Sequence, residues 1–463
     1  MAKRFKDILL IGLGGMGYYL AKRLAHEGHG LTIIERDPDL IRRADGEIDA
    51  RLIRGDGMSF RSWKEADADS VDYLIAVTDN DATNILACLI ADRYGVRRKI
   101  ARVRSLELWR QDAIVSAEDL KIDLVIRPEE TAAREIDRLL EMRAGNVIID
   151  VGKGSMQVVA MRVDPGTVLA HCTLKDLARD HKDYYFRVVA IARGMKTIIP
   201  GGDDRLRPGD HAFILVLNQD LDRLMELVGI TQERRHRVLI VGGGHIGQRV
   251  AELLEGTLPV RLIEQDSQRA EELSYCLKRT DVLHGDGSDA RTLITAGVLE
   301  MDTIITSTGD NETNIMTSVM AKNMIRDQPG AEDNRVGKTI TLVKREEYLA
   351  LAASMGSDIV LNKKVLAGNE ILKYIRRGQM LSVAHMYGVD AEVVELVAAP
   401  EAPITKGPLF ELAGLRGKMI IGGVYHKDEW RIAVGSTLVA AGDRVVGICE
   451  ARHLPELQRL LLG

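Results

Sequence analysis

Two short stretches of this chain carry the same spacing of glycines at the end of an apolar run. The first reads ILLIGLGGMG over residues 8–17, and the second reads VLIVGGGHIG over residues 238–247. Both fit the pattern G-x-G-x-x-G. In this pattern the first glycine makes a tight turn, the second lets the backbone approach a pyrophosphate, and the third packs a helix closely against a strand. The N–H groups at the start of such a helix favour an anion, so both stretches predict a phosphate site.

An acidic residue follows each glycine pattern at the distance typical of a dinucleotide-binding unit, about 20 residues. It is Glu35 at the end of LTIIE in the first copy and Glu264 at the end of VRLIE in the second. A carboxylate there accepts hydrogen bonds from ribose hydroxyls and repels a 2′-phosphate. We therefore expect NAD(H), or an adenine nucleotide with a free 2′-hydroxyl, to bind much better than NADP(H). Arg36 should point away from the ribose if the strand continues through it.

The elements that must position these residues alternate between strand and helix. The apolar runs of the first unit predict strands at 6–11, 31–35, 50–54, 73–77, 100–103 and 124–126. Helices are expected between and after them, at 17–26, 40–44, 59–66, 84–94 and 132–143. Short apolar strands that alternate with helices favour a doubly wound parallel sheet, which is a Rossmann-like α/β fold.

The same order of elements returns after residue 236, which indicates an internal duplication. Equivalent residues lie 230 positions apart, as Gly12 and Gly242 or Asn84 and Asn314 do. The matching strings include RGDG with HGDG, and TDNDATNILACLIA with TGDNETNIMTSVMA. Two similar domains in one chain fit a pseudo-symmetric pairing, in which they pack as a dimer would.

Each duplicated unit is followed by a segment with a different pattern of residues. Residues 146–217 and 380–449 contain short β-rich runs bounded by turn residues, including HAFILVL, EVVELV and RVVGIC, so we expect two small α/β domains. The polar stretch between the halves is typical of a linker. The expected organisation is a nucleotide-binding domain at 1–140, a small domain at 141–227, a linker at 228–236, a second nucleotide-binding domain at 237–375 and a second small domain at 376–463.

Polar residues that follow the third, fourth and fifth strands should reach the crevice where open α/β sheets bind ligands. Thr78 and Asp79 suit hydrogen bonds to a ribose or diphosphate, although helix capping is an alternative for these residue types. Asp56 could approach the adenine or form an Asx turn. Arg102, whose counterpart is Leu342, could pair with a phosphate or lie in solvent.

The predicted nucleotide-contacting residues form one set in each copy. They are Gly12, Gly14, Gly15, Met16, Gly17, Glu35, Arg36, Asp56, Thr78, Asp79 and Arg102 in the first, and Gly242, Gly244, His245, Ile246, Gly247, Glu264, Asp286 and Thr308 in the second. We expect no catalytic residues, because no cysteine, lysine or histidine lies in a recognisable catalytic motif. A dehydrogenase would need a further domain that supplies a proton-relay group.

Composition argues against several other classes of protein. The 463 residues carry a net charge of −5, so no global basic field points to nucleic acid. No apolar run reaches the ~18 residues of a membrane helix, and the N-terminus shows no cleavable apolar leader. The four cysteines lie far apart, so we expect buried free thiols in a reducing cytosol and no metal site.

The chain resembles the TrkA family, the cytosolic regulatory subunits of Trk-type potassium uptake systems, over essentially its whole length. The resemblance lies in the tandem order of a nucleotide-binding RCK (KTN) domain and a small C-terminal domain. It also lies in the motif Thr-x-x-Asp-x-x-Asn-(Ile/Leu), which is here Thr78–Asn84 followed by Ile85. In the second copy, Thr308–Asn314, Asn311 replaces the aspartate.

The resemblance implies a homotetrameric gating ring on the inner face of the cell membrane, docked on a membrane-embedded Trk-type potassium transporter subunit. It implies that NAD(H) and ATP or ADP bind the sites above and shift the conformation of the ring. Gly309 in place of Asp79, and Leu342 in place of Arg102, leave equal affinity at the two sites in doubt. Two alternatives stay open, an NAD-dependent dehydrogenase and the regulatory ring of another RCK-controlled ion transporter. The sequence leaves open which nucleotide activates and what the small domains sense.

Overall fold

A computed structural model describes most of the chain. The described residues are 6–105, 114–141, 147–228, 237–327, 338–376 and 382–463, apart from short gaps at 153, 164, 171–172, 181–185, 195, 387–388, 413–414 and 416. They form four β-sheets, two with six strands and two with five. Of the predicted linker at 228–236, all but the first residue lies outside the described residues.

The first sheet is parallel throughout and has six strands in the order β3-β2-β1-β4-β5-β6. Its strands are β1 (Asp7–Ile11), β2 (Gly30–Glu35), β3 (Arg51–Arg54), β4 (Tyr73–Ala76), β5 (Arg98–Arg102) and β6 (Leu124–Ile126). The helices are α1 (Gly15–His26), α2 (Pro38–Ala44), α3 (Phe60–Glu65), α4 (Asp81–Arg93) and α5 (Pro128–Glu141). The strand order reverses beside β1, where doubly wound sheets bind their ligands.

The first small domain is an antiparallel sheet of five strands in the order β10-β9-β11-β8-β7. Its elements are β7 (Val147–Val151), β8 (Met156–Arg162), α6 (Leu174–Asp180), β9 (Phe186–Arg193), β10 (Lys196–Ile198), β11 (His211–Leu217) and α7 (Leu221–Leu227). The five middle residues of β11 are buried, as a central strand requires.

The second parallel sheet repeats the order of the first, β14-β13-β12-β15-β16-β17. Its strands are β12 (Val238–Val241), β13 (Val260–Glu264), β14 (Thr280–His284), β15 (Thr303–Thr306), β16 (Lys338–Leu342) and β17 (Ile359–Leu361). Its helices in chain order are α8 (His245–Leu254), α9 (Ser267–Cys276), α10 (Ala290–Thr295), α11 (Asn311–Arg326) and α12 (Glu347–Met355), and α13 (Lys363–Arg376) follows β17. The predicted duplicated Rossmann-like fold is therefore confirmed.

The second small domain has the topology of the first, with the order β18-β19-β22-β20-β21. Its elements are β18 (Ser382–His385), β19 (Glu392–Val397), β20 (Met419–His426), β21 (Glu429–Ile432), β22 (Arg444–Cys449) and α14 (Leu454–Leu462). The two small sheets share one apolar cluster, to which Val158 and Phe213 contribute from one sheet and Val393 and Ile448 from the other.

The contacts divide the chain into two compact units. One comprises residues 1–132 and 363–379, and the other comprises residues 133–362 and 380–463. In the first unit α13 packs along α1, although it follows the second parallel sheet in the chain. The sequential domain boundaries given above stay a prediction. None of the helices in the described parts of the chain combines the length and the apolar character needed to cross a bilayer.

Candidate functional site

The three glycines of the first turn have three different surroundings. Gly12 has φ +95°, in the left-handed region that favours glycine, and a β-carbon on it would come within 2.9 Å of Thr78 Cγ2. A β-carbon on Gly17 would overlap the carbonyl oxygen of Gly12. Nothing lies within 4 Å of the place where a β-carbon on Gly14 would stand. The first glycine thus makes the turn, the third brings α1 against it, and the middle one borders open space.

The second turn repeats this geometry. Gly242 has φ +103°, a β-carbon on Gly247 would overlap its carbonyl oxygen, and Gly244 borders open space. Neither α1 nor α8 has a side-chain cap, because Gly14 and Gly244 occupy the N-cap positions. In contrast, the side chains of Asn80 and Asp310 cap α4 and α11, so the cap of α4 is neither Thr78 nor Asp79, for which capping was the alternative. The N–H groups at the start of α1 and α8 can therefore serve an anion.

The acidic residues at the ends of β2 and β13 are tied to the glycine turns. Glu35 Oε2 accepts the N–H of Leu13 at 2.5 Å, and its Oε1 accepts the N–H groups of Arg36 and Asp37 at 2.8 and 2.9 Å. Glu264 in the same way accepts the N–H of Gly243 at 2.6 Å. Strand β2 ends at Glu35, so the condition under which we predicted the direction of Arg36 is not met.

A buried asparagine holds the loop after β4. Asn84 Oδ1 accepts the N–H of Thr78 at 3.0 Å and its hydroxyl at 2.7 Å. Asn84 Nδ2 donates to the carbonyl oxygens of Thr78 and Arg102, at 3.1 and 2.8 Å. Asn314 makes the same four hydrogen bonds to Thr308 and Leu342. The hydroxyl hydrogens of both threonines are thus used within the protein, and only the oxygens can accept from a ligand.

Arg102 lies partly buried beside this loop. Its Nη1 lies 3.4 Å from the Thr78 carbonyl oxygen, and its Nε is buried without a partner among the described residues. Burial lowers the pKa of its guanidinium, against the opposing effect of Glu129. The carbonyl of Asp79 accepts from the Arg104 guanidinium, as that of Gly309 does from the Lys344 ammonium.

The remaining predicted residues take simpler positions. Asp56 accepts the N–H of Met58, and Asp286 accepts both the N–H and the hydroxyl of Ser288, so both form Asx turns. The hydrogen bonds from Ser288 lower the pKa of Asp286. The side chain of Met16 is buried and that of Ile246 partly so, which leaves their backbone N–H groups for a ligand. His245 is exposed at the first position of α8.

Comparison of the chain with known proteins identifies its family. The TrkA-N domain matches residues 8–128 and 238–363, and the TrkA-C domain matches residues 158–229. The Trk system potassium uptake protein TrkA of Halomonas elongata is 31% identical over 457 residues, which cover 98% of each chain. The chain belongs to the TrkA family.

Other relatives agree with this assignment, and solved structures share the fold. The TrkA protein of Haemophilus influenzae is 27% identical over 98% of each chain, and a TrkA homolog of Archaeoglobus fulgidus is 29% identical over 98% of this chain and 99% of its own. The GsuK RCK domain superposes with a TM-score of 0.58 at 18% identity, over 99% of this chain and 96% of that one. The GsuK channel bound to NAD gives 0.57 at 18% identity, over 99% and 80%. The predicted family is thus confirmed, and the GsuK structures show the same fold.

Sequence reasoning missed two basic residues that lie beside the glycine turns. Arg269, in α9, donates through Nε to the carbonyl of Gly243 at 3.2 Å, and its counterpart in the first copy is Leu40. A basic residue in the first turn after the acidic strand end was the available signal. Lys364, from α13, lies over Gly15. No local pattern could reveal it, since the two residues are far apart in the chain.

Two expectations about reactive groups can be compared with the structure. No cluster of three or more His, Cys, Asp or Glu side chains suited to a metal ion occurs in the described part of the chain. Burial raises the pKa of the Cys88 thiol to about 12, which makes it inert as a nucleophile at neutral pH. Cys276 is exposed, contrary to the expectation of buried thiols, because it ends α9 on its solvent face. Cys172 lies outside the described residues.

The Asn84 hydrogen bonds predict that this residue matters more for stability than the neighbouring cap. Asn84→Ala should lower the free energy of unfolding by about 3 kcal/mol, because it leaves buried backbone groups of Thr78 and Arg102 unsatisfied. Asn80→Ala removes only a helix cap, worth about 1 kcal/mol. Scanning calorimetry of both variants tests this difference. Equal losses would show that the Asn84 network is not what holds the loop.

Proposed function

We propose that this chain is the nucleotide-sensing regulatory subunit of a Trk-type potassium uptake system. The observation that carries the proposal is the pair of glycine turns. Each borders open space at its middle glycine, each leads into a helix without a side-chain cap, and each holds a carboxylate at its edge. Support also comes from the relatives that are named Trk system potassium uptake protein TrkA, which match 98% of the chain.

The ligand class follows from the donors and acceptors at each turn. The N–H groups that begin α1 and α8 would hold the pyrophosphate of a dinucleotide or the phosphates of ADP or ATP. Glu35 and Glu264 would accept hydrogen bonds from ribose hydroxyls, as acidic residues at this place do in dinucleotide-binding folds. The GsuK channel has been solved bound to NAD, which agrees with NAD(H) as the ligand. We propose that the two sets of nucleotide-contacting residues predicted from the sequence line the two nucleotide sites.

Regulation would act through the assembly rather than through a reaction. A ligand changes the activity of a partner only if it binds two conformations of the protein with different affinity. We infer that four copies form a ring on the cytosolic face of a membrane-embedded potassium transporter subunit. We also infer that nucleotide binding shifts this ring between a form that permits uptake and one that does not. The chain acts as a sensor in this scheme and has no turnover of its own.

Two independent sites predict a stoichiometry. Calorimetric titration of the full chain with NADH should show up to two sites per chain. Gly14→Val and Gly244→Val should each remove one site, because the new side chain enters the space at the proposed phosphate position, where a β-carbon meets no protein atom within 4 Å. Gly166→Val is the matched control, at a glycine that also borders open space but lies in the first small domain. Loss of both sites from one substitution would contradict independent binding.

The carboxylates predict discrimination against NADP(H). A 2′-phosphate beside Glu35 or Glu264 places like charges together at a cost of several kcal/mol, so NADPH should bind at least about a hundredfold more weakly than NADH. Glu35→Gln keeps the side-chain volume and removes the charge. It should reduce the difference between the NADH and NADPH affinities at the first site only. Titrations with both cofactors in the Gly244→Val background measure this. Equal affinity of the unmutated protein for NADH and NADPH would mean that the carboxylates do not face the ribose.

The regulatory role predicts nucleotide-dependent potassium flux. Vesicles that contain a Trk-type membrane subunit with this chain bound should take up potassium at a rate that changes when NADH, ADP or ATP is added. The double variant Gly14→Val, Gly244→Val should still bind the vesicles but lose the response. Uptake that is indifferent to every nucleotide would refute the proposed function. Oxidation or reduction of small alcohols and acids by the chain alone would favour a dehydrogenase.

A further inference from the structure

A lysine from a distant part of the chain lies over the first glycine turn. Lys364 is the second residue of α13, and its Cδ and Cε lie 3.1 Å from the place where a β-carbon on Gly15 would stand. The ammonium is closer still. Gly15 is the first residue of α1, so the ammonium stands beside the uncapped start of that helix.

Several contacts in the same unit fix this position. The Tyr19 hydroxyl donates to Asn369 Oδ1 at 2.6 Å, and the Tyr19 ring lies 2.6 Å from where a β-carbon on Gly368 would be. Lys363 donates to Glu129 at 2.6 Å in a partly buried ion pair. Burial acts to raise the pKa of Glu129, but the hydrogen bond and charge of Lys363 outweigh it, and the pKa is lowered. These contacts hold α13 in one register along α1, and with it Lys364.

The electrostatics of this arrangement favour an anion. The start of a helix carries partial positive charge, and the Lys364 ammonium adds a full positive charge beside the start of α1. A nucleotide phosphate at the open face of Gly14 would be attracted by both. Lysine is a common phosphate ligand in proteins, because its ammonium offers three donors on a flexible stem.

In the second copy, the side chain at the position of Gly15 is itself basic. The counterpart of Gly15 is His245, which is exposed at the first position of α8. When β6 with α5 is aligned with β17 and α13, for example through Asp123 and Asp358, the counterpart of Lys364 is Glu129. The lysine is therefore particular to α13, and it fills the space that the missing side chain of Gly15 leaves.

We propose that Lys364 is a phosphate-binding residue of the first nucleotide site, which is completed by a helix from the far end of the chain. This inference rests on the proposed function and names a further ligand-binding residue for the same site. A nucleotide bound there joins the start of α1 to α13 through its phosphates. In the chain, α13 connects the second parallel sheet to the second small domain. A nucleotide in the first site would therefore contact this connecting helix directly.

Binding measurements on the full chain test this proposal. In the Gly244→Val background, which leaves the first site to be read, Lys364→Gln should weaken ADP binding about tenfold, and Lys364→Arg should largely preserve it. Lys373→Gln is the control for net charge, because Lys373 is an exposed residue of the same helix, roughly 13 Å further along at 1.5 Å per residue. It should leave ADP affinity unchanged.

Two further measurements separate a phosphate contact from a purely structural role. The thermal midpoint of the ligand-free Lys364→Gln variant should match that of its parent. Hydrogen exchange in α13 should slow on addition of ADP in the parent and not in Lys364→Gln. ADP affinity of Lys364→Gln within twofold of its parent would overturn the role of Lys364 and leave the proposed function standing. A parent that binds neither ADP nor NADH would overturn both.

Discussion

The contact between two backbones in each glycine turn sets the position of everything else at the site. Gly17 lies so close to the Gly12 carbonyl that no β-carbon fits there, and Gly247 stands in the same relation to Gly242. This approach brings the start of a helix to the carboxyl end of the central strand. There the strand order reverses, which is the place where open α/β sheets bind their ligands. Any side chain at the third glycine would move the helix start, and with it the N–H groups that we propose bind an anion.

Hydrogen bonds within the protein hold the residues around the first glycine turn. Glu35 is anchored by three backbone N–H groups, and Thr78 is fixed by Asn84 through both its backbone and its hydroxyl. Pre-ordered groups lower the entropy that binding must overcome. The second copy keeps the asparagine network atom for atom. Geometry of this kind tolerates little change, since each lost partner leaves a buried polar group unsatisfied.

Local patterns predicted the sheets better than the helix starts. The runs HAFILVL, EVVELV and RVVGIC are the strands β11, β19 and β22 to the residue. Helix α1 begins two residues before its predicted start at Gly17, and α5 begins at Pro128, four before its predicted start at Ala132. The first turn of a helix is rich in caps, proline and acidic residues, so the apolar period that reveals a helix begins later than the helix itself.

Long-range packing was beyond the reach of the sequence. The apolar face of α13 shows that the helix packs against another element. It does not show that this element is α1 of the first unit, because hydrophobic periodicity does not identify the packing partner. The short strands β10 and β21 lie at sheet edges, and runs of three and four residues are too short to stand out as strands in the sequence. The position of Lys364 over Gly15 depends on a contact of this kind. Arg269 is different, because its place in the first turn after the acidic strand end was a local signal.

The two sites therefore share a shape and differ in charge. The glycines, the carboxylate and the buried asparagine are common to both copies, whereas the basic groups come from different elements. The first turn has Lys364 over Gly15, and the second has His245 and Arg269 on its own helices. Backbone contacts and buried networks resist substitution, while charges at an exposed rim can change with little effect on folding. A duplicated scaffold can in this way keep one binding geometry and present two different electrostatic environments. At the two proposed nucleotide sites, ligands with different phosphate charge would then bind with different preference.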